Sequence, residues 1–197
     1  LSQPTEQNVS AATVKAAYIL RFFDYVAFKD EANIGTYKIA VLGSQERVYQ
    51  ELTSAVVNYR IKGKPVEVDS TRTLQSLGHN QIVFVPESNS IRLSQVYQAL
   101  RGTDTLLITE QSEERRYFML NLKKKENDTI SFEVNRANII LEGITLDSTV
   151  LLLGGTELDV AELLGETEGE LLSAKTSLEK LQTERDSLTK LMEGQRE

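Results

Sequence analysis

The sequence contains no cysteine and no tryptophan, and only one histidine and three prolines in 197 residues. Without cysteine there can be no disulfide, no thiolate metal site and no cysteine nucleophile. A solitary histidine, His79, cannot build a His-based metal set or an HExxH helix. It precedes Asn80 at the entry of an apolar stretch and reads as a structural or exposed imidazole. No apolar run reaches the roughly 18 residues that a membrane span requires. Glycine-rich phosphate loops are missing as well: VLGSQERV keeps one glycine where a dinucleotide fingerprint needs three, and neither GxxxxGK(S/T) nor a GxSxG elbow occurs.

Positive charge is also scarce. The formal net charge is −7, and it is unevenly placed: residues 156–197 hold 5 Lys/Arg against 11 Asp/Glu, which leaves the first 155 residues close to neutral. The one dense basic run, Lys123-Lys124-Lys125, sits before Glu126-Asn127-Asp128 and reads as a solvated hairpin turn rather than a phosphate site, so no nucleic-acid partner is expected. The chain opens on Leu1 with polar LSQPTEQNVS, a composition that suits a mature N-terminus.

What is present is alternation. VKAAYILRFFDYV (14–26) is apolar on nearly every side, which predicts a buried helix over 14–27 whose aromatics serve the core. YKIAVLGS (37–44), KGKPVEVDS (62–70), QIVFVPES (81–88) and TLLITEQS (105–112) read as strands, separated by helices over 45–57 and 90–101. Short, almost continuous apolar strands between helices indicate a parallel sheet covered on both faces. Residues 116–122 and 129–134 predict an antiparallel hairpin, followed by a helix over 136–141. The fold class is thus α/β: a three-layer domain with a mostly parallel sheet and an antiparallel hairpin. The expected organisation is an N-terminal tail over 1–12, the α/β domain over 13–155 and a helical segment over 156–197, opened by a capping box at Thr156-x-x-Asp159.

That last segment carries one uninterrupted heptad register. Leu164, Leu171, Ala174, Leu178, Leu181, Arg185, Leu188 and Met192 fall on its a and d positions, with Thr167. Glu170 at g and Lys175 at e suit the cross-pair of a parallel dimer, and Arg185 at a could set register. Gly165 and Gly169 weaken the first turns. A parallel homodimeric coiled coil through these residues is expected; the competing reading is one amphipathic helix packed on its own domain.

No catalytic constellation emerges. Glu110, Glu113 and Glu114 follow a strand as a surface acidic loop would, with nothing to mark an acid/base pair. Neither a catalytic residue nor a metal or cofactor site is expected, and the chain reads as a non-enzyme. Ligands of open α/β sheets sit outside the carboxyl ends of the strands, at a switch in strand order. Those ends place a candidate small-molecule site at Ser44, Ser88 and Glu110, although helix capping is the plainer role for Ser44, Ser88 and Ser90.

The order of these segments resembles the YfiR (HmsC-like) family. VKAAYILRFFDYV is similar to its first helix, YKIAVLGS, KGKPVEVDS, QIVFVPES and TLLITEQS to its strands, and FEVNRANIILEGITLDSTVLLL (132–153) to its closing Phe-x-x-Asn, helix, Gly and Leu-rich stretch. The likeness covers about residues 13–153. It implies a periplasmic, non-catalytic α/β domain which, in free-standing members, represses a membrane-bound cyclic-di-GMP synthase. Two departures matter. The family's cysteines are missing, so its redox coupling does not carry over, and the chain continues into about 40 residues of helix, roughly 60 Å at 1.5 Å per residue.

Two functions follow as expectations. The first is the extracytoplasmic sensory domain of a membrane signalling receptor, binding a small molecule or a receptor protein and transmitting through a dimeric coil, with membrane contact only through segments outside this sequence. The alternative is a soluble periplasmic repressor acting in trans on a diguanylate cyclase. An enzyme or transport-type small-molecule binder is a third reading, and it lacks a catalytic constellation.

Overall fold

A computed structural model of the chain describes residues 10–43 and 46–194. Contacts divide it into two compact units, residues 1–158 and 159–197. In the first unit the helices are α1 (Ala11–Phe22), α2 (Arg47–Ala55), α3 (Leu93–Leu100) and α4 (Arg136–Leu141). Its strands are β1 (Val26–Ala27), β2 (Tyr37–Leu42), β3 (Arg60–Ile61), β4 (Lys64–Thr71), β5 (Ile82–Val85), β6 (Leu106–Glu110), β7 (Leu120–Lys124), β8 (Ile130–Val134), β9 (Thr145–Leu146) and β10 (Gly155–Glu157). The second unit is α5 (Val160–Gly194).

The main sheet has the order β10-β8-β7-β6-β5-β2-β4-β3, and β1 pairs with β9 apart from it. The run β4-β2-β5-β6-β7 is parallel, β7 and β8 form the antiparallel hairpin, and β10 adds parallel to β8. From β2 the chain moves one way to β4 through α2, whereas from β5 it moves the other way to β6 through α3. Right-handed crossovers therefore place α2 and α3 on opposite faces, which makes three layers. All of β5 and all of β2 except Lys38 is buried, as expected of strands covered on both sides.

Ser10 starts α1, its Oγ accepting from the Thr13 N–H at 3.2 Å. The helix lays Ala16, Ile19, Leu20 and Phe22 into the core. The Phe22 ring meets Phe132 of β8 edge-on at 5.0 Å, and Phe23 meets Tyr37 of β2 at 5.1 Å. The most deeply buried polar side chain of the sheet is well partnered: Asn121 of β7, fully covered, bonds Thr109 Oγ1 at 2.9 Å, both backbone groups of Ser112 at 3.0 Å and Glu133 Oε2 at 2.8 Å.

Several local expectations are corrected. The first helix ends at Phe22 rather than 27, because Val26 and Ala27 leave it to pair with Leu146 and Thr145 of β9. It is not buried all round: Ala17 is exposed, and the grooves on either side of it are open to solvent. The strand expected over 62–70 starts at Lys64 and runs to Thr71, since Lys62-Gly63 (φ 48° and 79°) form the two-residue turn between β3 and β4. Two consecutive positive φ angles are what a type I′ hairpin demands. Thr156 lies in β10 and does not cap α5, which follows Asp159. Nor do Ser88 and Ser90 cap: the turn Glu87–Arg92 and α3 both lack a side-chain cap.

Candidate functional site

The order of strands reverses between β2 and β5, so the crevice available to a ligand lies beyond Leu42 and Val85. Three chain segments meet there. Gly43 follows β2, Glu46 precedes α2, and Ser88 and Asn89 lie in the turn after β5. The Ser88 hydroxyl donates to Glu46 Oε1 at 2.6 Å. The Asn89 amide donates to the Leu42 carbonyl at 3.2 Å and lies 3.4 Å from Glu46 Oε1 and 3.1 Å from Ser88 Oγ. Gly43 is required by this packing: its φ is 119°, and a Cβ on it would stand 3.0 Å from Asn89 Nδ2 and 3.1 Å from Glu46 Oε1.

Glu110 closes β6 on the same edge. Its carboxylate pairs with Lys15 Nζ of α1 and accepts from the Glu87 N–H at 3.4 Å. Both side chains of this pair are largely buried, at 17% and 12% exposure. Removing one member alone would therefore strand a charge, which is far more costly than losing an exposed pair. Of the predicted site residues, Ser44 lies outside the described residues, whereas Ser88 and Glu110 are brought together through the adjacent Glu87.

Sequence reasoning did not find Glu46, Asn89 or Lys15. Lys15 left a trace, one of two cations with Arg21 inside the apolar run of α1. Glu46 and Asn89 left none, because their partners are more than 40 positions away in sequence. Chemically the crevice offers a carboxylate, a hydroxyl and amide groups already engaged with one another, an arrangement suited to recognition by exchange of hydrogen bonds. Ser88 has a carboxylate and no imidazole beside it, since His79 stands exposed before β5, at the other end of that strand. Among the described residues, no group of three or more His, Cys, Asp or Glu could hold a metal ion.

The surrounding acidic residues are paired. Glu113 meets Lys123 Nζ at 2.9 Å, a hydrogen bond that lowers its pKa, and Lys124 meets Asp128 at 2.7 Å. The basic run is thus spent partly on neighbouring carboxylates. Near the opposite edge, a recess of about 180 Å³ is lined by Phe28, Asp30, His79 and Asp104 among others. There Asp104 sits at φ 57° with Oδ2 accepting from the Lys29 N–H at 2.9 Å, while Oδ1 is covered and has no hydrogen-bond partner among the described residues. Burial pushes its pKa up.

The second candidate surface is α5 itself. Its 35 residues rise about 52 Å. Leu164, Leu171, Leu178, Leu181, Leu188 and Met192 are 57–71% exposed along it, with Ala174 and Arg185 exposed on the same stripe. Arg185 bonds the adjacent Asp186 at 2.7 Å. No helix among the described residues is long and apolar enough to cross a membrane.

Comparison with known proteins gives one family match: a family profile described as YfiR/HmsC-like covers residues 12–155. A solved ABC domain in complex with L-Trp from Streptococcus pneumonia is similar at 12% identity and a TM-score of 0.47, the match covering 75% of this chain and 62% of that protein's length. No curated protein matches significantly.

Proposed function

The chain belongs to the YfiR/HmsC-like family, and from that premise we propose that it is the extracytoplasmic sensory domain of a membrane signalling receptor, binding a ligand or partner protein and transmitting through a parallel dimeric coil. Membership fits a periplasmic signalling role at the coarser level. The observation that carries the finer reading is the a/d stripe of α5, six large apolar side chains left in solvent at a 3.5-residue period. Burying each stabilises by roughly 1.5–3 kcal/mol, enough together to offset part of the cost of association. A second copy of the same helix is the partner that period fits. The domain is read as non-catalytic because, among the described residues of the crevice, the Ser88 hydroxyl is tied to the Glu46 carboxylate and no imidazole stands beside it to relay a proton.

Absence of cysteine makes the test direct. Leu181→Cys at a d position should cross-link to its own copy under mild oxidation, and Glu179→Cys on the outer face should not. Leu178→Asp with Leu181→Asp should shift the chain to monomer in sedimentation equilibrium while the α/β unit stays folded. An unmutated chain that remains monomeric at high micromolar concentration defeats this reading. A repressor acting in trans would instead use the coil only to pair, and in that case breaking it would leave binding of a receptor's extracytoplasmic domain intact.

A further inference from the structure

One stripe of α1 touches both the candidate crevice and the residues on which the strand leading into α5 rests, Leu153 just before it and Phe132 beneath it. Lys15, Tyr18 and Phe22 follow i, i+3, i+7 spacing and share a helix face. Lys15 pairs with Glu110 at the end of β6. One turn on, the Tyr18 hydroxyl lies 2.9 Å from the Leu153 carbonyl and 3.2 Å from that of Ile130. Its ring meets Phe132 edge-on at 5.7 Å, and Phe22 meets the same ring at 5.0 Å. Phe132 in turn lies directly under Gly155 of β10, where a Cβ would fall 2.4 Å from the ring.

β10 is the kind of element such contacts can bias. It is three residues long, stands at the edge of the sheet and, among the described residues, pairs only with β8. Its last tie is the Leu158 N–H to the Val134 carbonyl at 2.9 Å, immediately before α5 begins. On the other side Arg136 grips Glu157 with two bonds, at 2.7 and 3.1 Å, and also reaches the Leu146 carbonyl at 3.2 Å. A short edge strand held by a few side-chain restraints opens more readily than the central strands.

We propose that α1 is a lever coupling the Glu110 end of the crevice to β10, so that an occupant of the crevice which breaks the Lys15–Glu110 pair loosens the strand at the root of α5. This deepens the sensory reading and rests on it for its biological meaning. The mechanical claim stands on the α/β unit alone. A ligand that engages Glu110 competes with Lys15 for one carboxylate; α1, released at that turn, shifts Tyr18 against the Leu153 carbonyl and Phe132 against Gly155. Coupling of this kind requires a shared element that both ends bias, and α1 is that element.

The test is hydrogen exchange on the full-length chain without any ligand. Lys15→Met combined with Glu110→Gln removes the pair without stranding a charge, and Tyr18→Phe removes the hydroxyl at the other end. Each should accelerate exchange at the Leu158 amide by about threefold or more, the scale of one net hydrogen bond. Introduced into the Tyr18→Phe chain, the paired change should add nothing further at Leu158. Gly155→Ala, which forces β10 off Phe132, sets the upper limit of the response. Unchanged exchange at Leu158 beside faster exchange at Glu87 overturns the lever, and so do accelerations that multiply as independent effects would. Should the paired variant lose slow exchange in β5, Lys15→Gln combined with Glu110→Gln, which also removes both charges together, carries the same comparison. Failure of α5 to dimerise leaves this outcome untouched, so the two readings fail separately.

Discussion

Gly155→Ala places a methyl where the Phe132 ring already is. The new Cβ would lie 2.4 and 2.5 Å from two ring carbons and 3.1 Å from a third, so about 1 Å of displacement is needed to reach ordinary contact. The ring has little room to yield: Phe132 is fully buried and held edge-on by Tyr18 and Phe22. Overpacking of this kind costs about 1–3 kcal/mol. Detachment of the three-residue β10, with its Leu158 tie, gives the lower-cost escape and limits the loss. The same substitution at Gly165 should have the opposite sign, because nothing lies within 4 Å of a Cβ there and alanine is favoured in a helix by about 1 kcal/mol. All seven tyrosines fall before residue 118, inside the first unit. Urea unfolding followed by tyrosine emission therefore reads the α/β unit alone, and helical ellipticity reads α5 as well. Gly155→Ala should lower the tyrosine midpoint, by about 2–4 °C per kcal/mol in a thermal scan. Gly165→Ala should leave it unchanged and raise helicity. Equal tyrosine midpoints for wild type and Gly155→Ala would refute the claimed contact between β10 and the aromatic cluster.

Asp104→Asn should stabilise the chain at neutral pH. The folded pKa of Asp104 lies above its ordinary 3.8 because burial disfavours the charged form, so the stability it permits is full below that value and is lost as pH rises through the folded pKa. Asparagine also tolerates φ 57°; the gap between variant and wild type in urea midpoints should close as pH falls toward 4, and a pH-independent gap would contradict the assignment. Asn121→Ala should cost about 2 kcal/mol or more, since it leaves Thr109, the Ser112 backbone and Glu133 without their shared partner. Chemical denaturation checks this, and a loss below about 0.5 kcal/mol would mean that water replaces the amide.

The sequence by itself determined the alternation of buried strands and helices, the β7–β8 hairpin and the period of α5. Each is a short-range signal: runs such as IVFV in β5 have no polar face to turn outward, and the heptad of α5 repeats within a single helix. The same short-range signal let two carboxyl-end residues, Ser88 and Glu110, be named from strand ends alone. Tertiary structure decided what they do there. Ser88 bonds Glu46 across 42 positions, and Glu110 meets Lys15 across 95. The apolar pattern of α1 continues past Phe22 through Phe23, Tyr25 and Val26, yet the helix stops where Val26 finds Leu146 in β9. Gly154-Gly155 reads as punctuation in the sequence, whereas in the fold Gly155 is the one residue small enough to let β10 lie on Phe132. Periodicity records which face of a segment avoids water, but the pairing of faces, charges and strand edges is a choice among distant segments that only packing makes.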